Sequence, residues 1–280
     1  MLKSLFHRSP RVLHVTQFCR LVMRRYGESL QRRSIAVPRM LNRRFDAIAL
    51  AWLAVFSLAC LPKVLMPATP VHGIIDLLQI VLPYLAIALA PIAGYRLAVA
   101  SFPPGILFAQ PEYRLSFYGR WRQLSVLDAK TSPVFGPTGF MASLLIGLLL
   151  NVGVRSFEFL AAMPAINHHG PAWSQTLFLL MAADVVAMGF LYMVCFVMAL
   201  RSVPYFPRML LLAWGLDILA QLAIAQTVGD MAGLPASVAQ TLAALLEGNI
   251  AKVLISAFVW LPYLILSERV NITYRQRIRA

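Results

Sequence analysis

Six long apolar runs, at about residues 46–66, 73–100, 139–163, 176–200, 208–228 and 241–266, take up most of the chain. Each has about 20 residues or more, the length a helix rising about 1.5 Å per residue needs to cross a hydrocarbon core about 30 Å thick. Hydrocarbon offers no hydrogen bonds to a backbone, so a run of this length crosses it only as a helix that satisfies its own amides. Composition agrees: 60% of the residues are hydrophobic and 13% are charged, against roughly 45–50% and 25% in a soluble domain. The expected fold is all-α, a polytopic helical membrane protein with six transmembrane helices.

Charge sets the expected orientation. The net charge of +14 is concentrated in the gaps on one side of the spans, the pattern of cytoplasmic loops. Residues 1–44 hold eleven Lys or Arg against Glu28, the last connection and tail hold Arg269, Arg275, Arg277 and Arg279, and the loop with Asn167, His168 and His169 holds none. Six spans with both termini cytoplasmic put every basic gap inside and leave only Lys63 outside. That is the arrangement expected of a bacterial inner-membrane protein. Nucleic acid is not an expected partner, because the basic arm has no docking motif and no interleaved aromatic platform. The expected partners are a bilayer with an anionic cytoplasmic leaflet and a membrane protein, either a different one or a second copy.

The pattern divides the chain into four parts. Residues 1–44 form a basic cytoplasmic arm, in which Val12, Leu13, Val15, Phe18, Leu21 and Val22 lie among Arg11, Arg20, Arg24 and Arg25. This composition suits an interfacial amphipathic helix or a disordered tail that enforces orientation. Residues 46–100 read as a peripheral two-span hairpin. Residues 101–137 read as a cytoplasmic amphipathic loop, with Arg114, Arg120 and Arg122 beside Phe117, Tyr118 and Trp121 in a mixture suited to lipid headgroups. Residues 138–280 are the expected four-span bundle with a basic cytoplasmic tail.

That bundle carries the chemistry. Arg155, Glu158, Asp184, Asp217, Glu247 and Lys252 all fall within its apolar runs, where each ionised group near the bilayer centre costs about 2.5–3.5 kcal/mol on insertion scales. Centring each run in the membrane puts Asp217 and Lys252 near the midplane and the other four about 5–10 Å toward the outer face. Asn151, Gln221 and Asn249 add hydrogen-bonding capacity at similar depth. Arg155 and Glu158, three apart, share a helical face and are expected to pair; Lys252 is expected to reach Asp217. Four carboxylates face two bases, and in a dry cluster that excess would leave one or two carboxyls protonated. Three roles follow: an interhelical clasp, a proton or ion pathway, or a polar surface for another membrane subunit.

Other chemistry is sparse. Cys19, Cys60 and Cys195 have no metal or redox spacing. His168-His169 reads as loop polarity, because two adjacent histidines rarely face one ion. No Gly-rich phosphate loop, metalloprotease helix or nucleophile elbow is present, so neither a cofactor, a metal nor a catalytic role is expected.

Two stretches carry a resemblance. Arg201-Ser-Val-Pro-Tyr-Phe-Pro-Arg208 and Trp260-Leu-Pro-Tyr-Leu-Ile-Leu-Ser-Glu-Arg-Val-Asn-Ile-Thr-Tyr274 resemble an uncharacterised family of bacterial inner-membrane proteins, domain of unknown function two-five-six-nine. Its members look like four-span proteins with a basic Phe-Pro loop and a Trp-x-Pro-Tyr, then Ser-x-Arg-Val-x-x-Thr-aromatic ending. The resemblance covers residues 137–280, and Glu268 stands where the family pattern has a basic residue. It implies a bacterial plasma membrane, no known catalysis, and a last helix that ends at the headgroups, with Arg269, Arg275 and Arg277 held against anionic lipid.

Overall fold

The computed structural model of the chain describes residues 36–106, 108–112 and 119–280. The arm's expected interfacial helix, and Arg114, Phe117 and Tyr118 of the loop, lie outside the described residues. Among the described residues six helices are long and apolar enough to cross a membrane: α1 (Ala36–Leu65), α2 (Ile74–Ser101), α4 (Phe140–Ala162), α5 (Ala172–Leu200), α6 (Phe206–Gly229) and α7 (Ala236–Leu266). A short α3 (Val126–Thr131) precedes α4, and α8 (Glu268–Arg275) follows α7. The strands β1 (Trp121–Gln123) and β2 (Arg277–Arg279) form an antiparallel ribbon.

The helix α5 is the axis of the bundle. Its one charged residue is Asp184, and beyond its first turn the helix is apolar on all sides, the signature of a helix buried by neighbours rather than laid against one. It packs against α2, α4 and α6, and α6 in turn packs against α7. The first hairpin is therefore not peripheral as a unit. The contact between α2 and α5 is the most extensive in the bundle, and it buries Ile80, Tyr84, Ile87, Pro91 and Ala98. Close approach explains it: a Cβ placed on Gly94 would come within 2.6 Å of the Phe190 carbonyl oxygen, so only glycine lets the two backbones meet there. By contrast, α1 touches mainly α2, and α7 has just 11% of its most apolar stretch buried.

Two apolar clusters fill the interior. One gathers Met141, Leu145, Met188, Phe196, Phe206 and Leu210 toward the end that bears the carboxyl terminus; the other gathers Phe56, Ile80, Tyr84, Phe159, Phe178 and Ile224 toward the opposite end. The polar residues of α4, α5 and α6 lie between them along the helices.

At the carboxyl-terminal end the loop and tail fold together. Trp121 pairs with Arg279 and Gln123 with Arg277 in the ribbon, and the Arg277 guanidinium lies 5.0 Å from the Trp121 ring centroid, a cation–π contact. Asn271 is fully buried at the α7–α8 junction. Its amide donates to the carbonyls of Ile265 and Ser267, and its Oδ1 accepts from Arg275 Nη1 and Arg277 Nε. Thr273 Oγ1 accepts from the Gly136 amide, and the Tyr274 hydroxyl donates to the Ala199 carbonyl.

The headgroup role expected of Arg275 and Arg277 is therefore corrected. Both are buried in protein, and Arg275 Nη1 donates to the last-turn carbonyl of Leu264. Burial, reinforced by nearby Arg277 and Arg208, pushes the Arg275 guanidinium down to about 10. Arg269 is half-buried and donates to Thr138 Oγ1. Arg120 and Arg122 are exposed beside the half-buried Trp121.

Candidate functional site: a charge clasp beside an open cleft

Arg155 sits on the inward stripe of α4, flanked along the helix by buried Leu148, Val152 and Phe159. Its guanidinium grips Asp217 of α6 with both terminal nitrogens, Nη1 to Oδ2 at 2.8 Å and Nη2 to Oδ1 at 2.8 Å. Nη2 also reaches Asp184 Oδ2 of α5 at 2.6 Å. All three side chains are buried, and Asp217 is wholly inaccessible. This is the planar bidentate fit that guanidinium offers a carboxylate and that a lysine ammonium cannot reproduce.

Further partners complete the set. The Tyr192 hydroxyl donates to Asp217 Oδ2 at 2.7 Å, Gln221 Nε2 donates to Asp184 Oδ2 at 3.1 Å, and Asn249 Nδ2 donates to Gln221 Oε1 at 3.1 Å. Four helices, α4 to α7, are thereby tied by one hydrogen-bonded chain. Tyr192 is the member that sequence reasoning missed; it lies two turns along α5 from Asp184, and its buried hydroxyl is indistinguishable in sequence from an interfacial tyrosine.

Two expected pairings are overturned. Arg155 does not pair with Glu158, because its fork turns inward to two carboxylates on other helices. Lys252 does not reach Asp217, whose oxygens are already taken by Arg155 and Tyr192. Lys252 instead bridges to Glu158, a contact between α7 and α4 with both side chains partly exposed. Glu247 joins neither group. It is exposed on the outward side of α7.

Above the clasp, a cavity of about 210 Å³ opens between α4 and α7, lined by Asn151, Arg155, Tyr192, Trp214, Asn249 and Lys252 among others. The Lys252–Glu158 bridge lies at its wall. A second space of about 20 Å³ touches Arg155, Asp184 and Asn249, large enough for one water molecule. Beside it, Arg155 Nε and Asp184 Oδ1 are buried without a hydrogen-bond partner among the described residues.

No family model, curated protein or solved structure matches this chain.

Proposed function

We propose that this multi-pass membrane protein is a non-enzymatic, partner-binding subunit of a bacterial inner membrane, with both termini cytoplasmic and with membership of the family resembled by residues 137–280. The observation that carries the proposal is Glu247. It lies about one turn from the centre of α7, a helix long and apolar enough to span a membrane, yet it is exposed while the clasp, Glu158 and Lys252 all face elsewhere. An ionised group turned to acyl chains costs up to about 2.5–3.5 kcal/mol at the bilayer centre; a second helix packed over Glu247 with a donor at its level lowers that cost. Gln240, Ala244, Glu247 and Ala251 recur at the spacing of one helical face, all exposed. The two alanines flank Glu247 by about one turn on either side, and small side chains so placed let another helix approach closely. The clasp then serves to hold α7 in register so that this face is presented rigidly. The fitting partner is a transmembrane helix with small contact residues and a cationic or hydrogen-bond-donating side chain at the level of Glu247.

The test is a photo-crosslinking amino acid placed at Ala244 or Ala251 in native membranes, with Leu219 of α6 as the lipid-facing control. A discrete protein adduct from the α7 positions, lost with Glu247→Leu and absent from Leu219, is the expected result. Lipid adducts alone at all three positions would remove the proposal.

The cleft favours a second reading, a proton- or ion-coupled carrier of a small solute. It rests on the unpartnered Asp184 Oδ1 at the wall of the small cavity and on the excess of carboxylates in the clasp. That reading expects a pH gradient to drive flux in proteoliposomes and Asp184→Asn to abolish it with the fold intact. Equal flux in the variant would sink it.

A further inference from the structure

At the end of the bundle away from the carboxyl terminus, two loops are knitted together. The Ala68 amide donates to the Ala165 carbonyl, the Lys63 ammonium donates to the Met163 carbonyl, and buried Asn167 donates from its backbone to Thr69 Oγ1 and from its side chain to the Pro70 carbonyl. This lacing swings His168 and His169 over the start of α2, where Asp76 is buried. His168 Nδ1 lies 3.2 Å from Asp76 Oδ1, and His169 Nε2 lies 3.2 Å from Asp76 Oδ2. One ligand atom from each of the three residues falls within 4.8 Å of the others.

We infer that Asp76, His168 and His169 form a binding site for a divalent transition metal of the zinc class, which staples the α4–α5 loop to the start of α2. Geometry is the first argument. A tetrahedral ion with bonds of about 2.0–2.1 Å sets its ligand atoms about 3.3–3.4 Å apart. Each imidazole nitrogen lies 3.2 Å, close to that edge, from a different oxygen of the carboxylate, and one ligand atom from each residue falls within 4.8 Å of the others, so a small shift of the rings brings all three around one ion. Preorganisation is the second. Asp76 Oδ2 accepts from the His72 amide at 2.8 Å, the His169 amide donates to Asn167 Oδ1 at 3.0 Å, and the His168 amide donates to Gln79 Oε1 at 2.9 Å. Each ligand residue is therefore held by a bond that metal coordination does not need to break.

Adjacency of the two histidines is no obstacle here. His168 presents its near nitrogen, Nδ1, and His169 its far one, Nε2, to the same carboxylate; the ring centroids are 4.0 Å apart. Gln79 Oε1 accepts from His168 Nδ1 at 2.9 Å, a bond whose proton metal coordination displaces, and the His72 ring stands edge-on to His169 at 5.3 Å. These two residues and solvent are the sources of a fourth ligand. Two imidazoles with one carboxylate suit zinc and its neighbours, whereas magnesium and calcium prefer all-oxygen shells. The site is on different elements from the clasp and stands whether or not the partner-binding proposal survives.

The full-length protein in mild detergent, stripped with a chelator and titrated calorimetrically with zinc chloride, is expected to take up one ion per chain with micromolar or tighter affinity and to ignore magnesium and calcium at the same concentrations. Zinc should raise its thermal midpoint, since a ligand that binds only the folded state stabilises it. In the double variant His168→Ala, His169→Ala the affinity should fall at least a hundredfold and the shift in midpoint should vanish. Zinc K-edge absorption of the wild-type complex should show imidazole scattering from two rings. Absence of uptake, or uptake of unchanged affinity in the double variant, overturns the site. If the double variant fails to fold, a wild-type spectrum without imidazole scattering does the same.

Discussion

Replacing Arg155 by leucine is expected to destabilise the protein by about 3–5 kcal/mol, the cost of leaving buried carboxylates without their counter-ion. Asp184 and Asp217 face each other across that guanidinium, with only Tyr192 and Gln221 among the described residues donating to them otherwise. The penalty comes from stranded charge and not from lost attraction, because a buried ion pair and an apolar replacement of similar volume often differ little. The triple variant Arg155→Leu, Asp184→Asn, Asp217→Asn should therefore regain most of the loss, even though it restores no ionic contact that the single variant lacks. Glu158→Gln makes the contrast. Its bridge to Lys252 is partly exposed, and breaking it should cost about 1 kcal/mol or less. Thermal unfolding in detergent reads all three. A triple variant as unstable as Arg155→Leu would mean that Arg155 holds the helices by packing, and the ionic account of the clasp would fail.

The spans are legible in the sequence because span length is a one-dimensional property. The boundaries drawn from hydropathy lie within a few residues of the helix ends for α2, α4, α5 and α6, where glycine or proline flanks the apolar run. They fall short at the start of α7 because Ala236–Gln240 is helical without being strongly apolar. The membership of the clasp is legible in part for the same reason: depth along a helix follows from counting residues, so Arg155, Asp184, Asp217, Gln221 and Asn249 can all be placed between the midplane and about 10 Å toward the outer face. Rotation about each helix cannot be read that way. That one unknown explains why depth alone groups Glu247 with the clasp and aims Lys252 at Asp217. Asp76 gives no signal for a related reason. It lies at the first turn of α2, where an acid is unremarkable beside the helix dipole, and only the lacing of two loops brings it under His168 and His169. The tail misleads in the opposite direction. Arginines at the end of a span ordinarily meet headgroups, and nothing local distinguishes Arg275 and Arg277 from that rule until Asn271 is seen to gather them.

Asn271→Leu should accordingly release the tail. The amide of Asn271 closes two carbonyls at the end of α7, and its oxygen receives two guanidinium groups; four hydrogen bonds go at once, two of them to charged donors worth about 1.5–3 kcal/mol each. The loss need not unfold the bundle, since the packing of α5 on α2, α4 and α6 does not involve Asn271, but it should detach β2 from β1, because Arg277 is tied both to Asn271 and to the Trp121 face. Limited trypsin digestion with mass spectrometry of the terminal peptides is the measurement. Cleavage after Arg275 and Arg277 should accelerate at least tenfold, while cleavage after Lys130, on the exposed part of α3, should change little. Asn271→Asp separates the two halves of the residue's job. Aspartate keeps an acceptor for the two arginines and strengthens it with charge, yet sets a second anionic oxygen against the carbonyls of Ile265 and Ser267. Its cleavage rate should fall between wild type and leucine. A leucine variant digested at the wild-type rate would show that the Trp121 ribbon, and not the buried amide, holds the end of the chain.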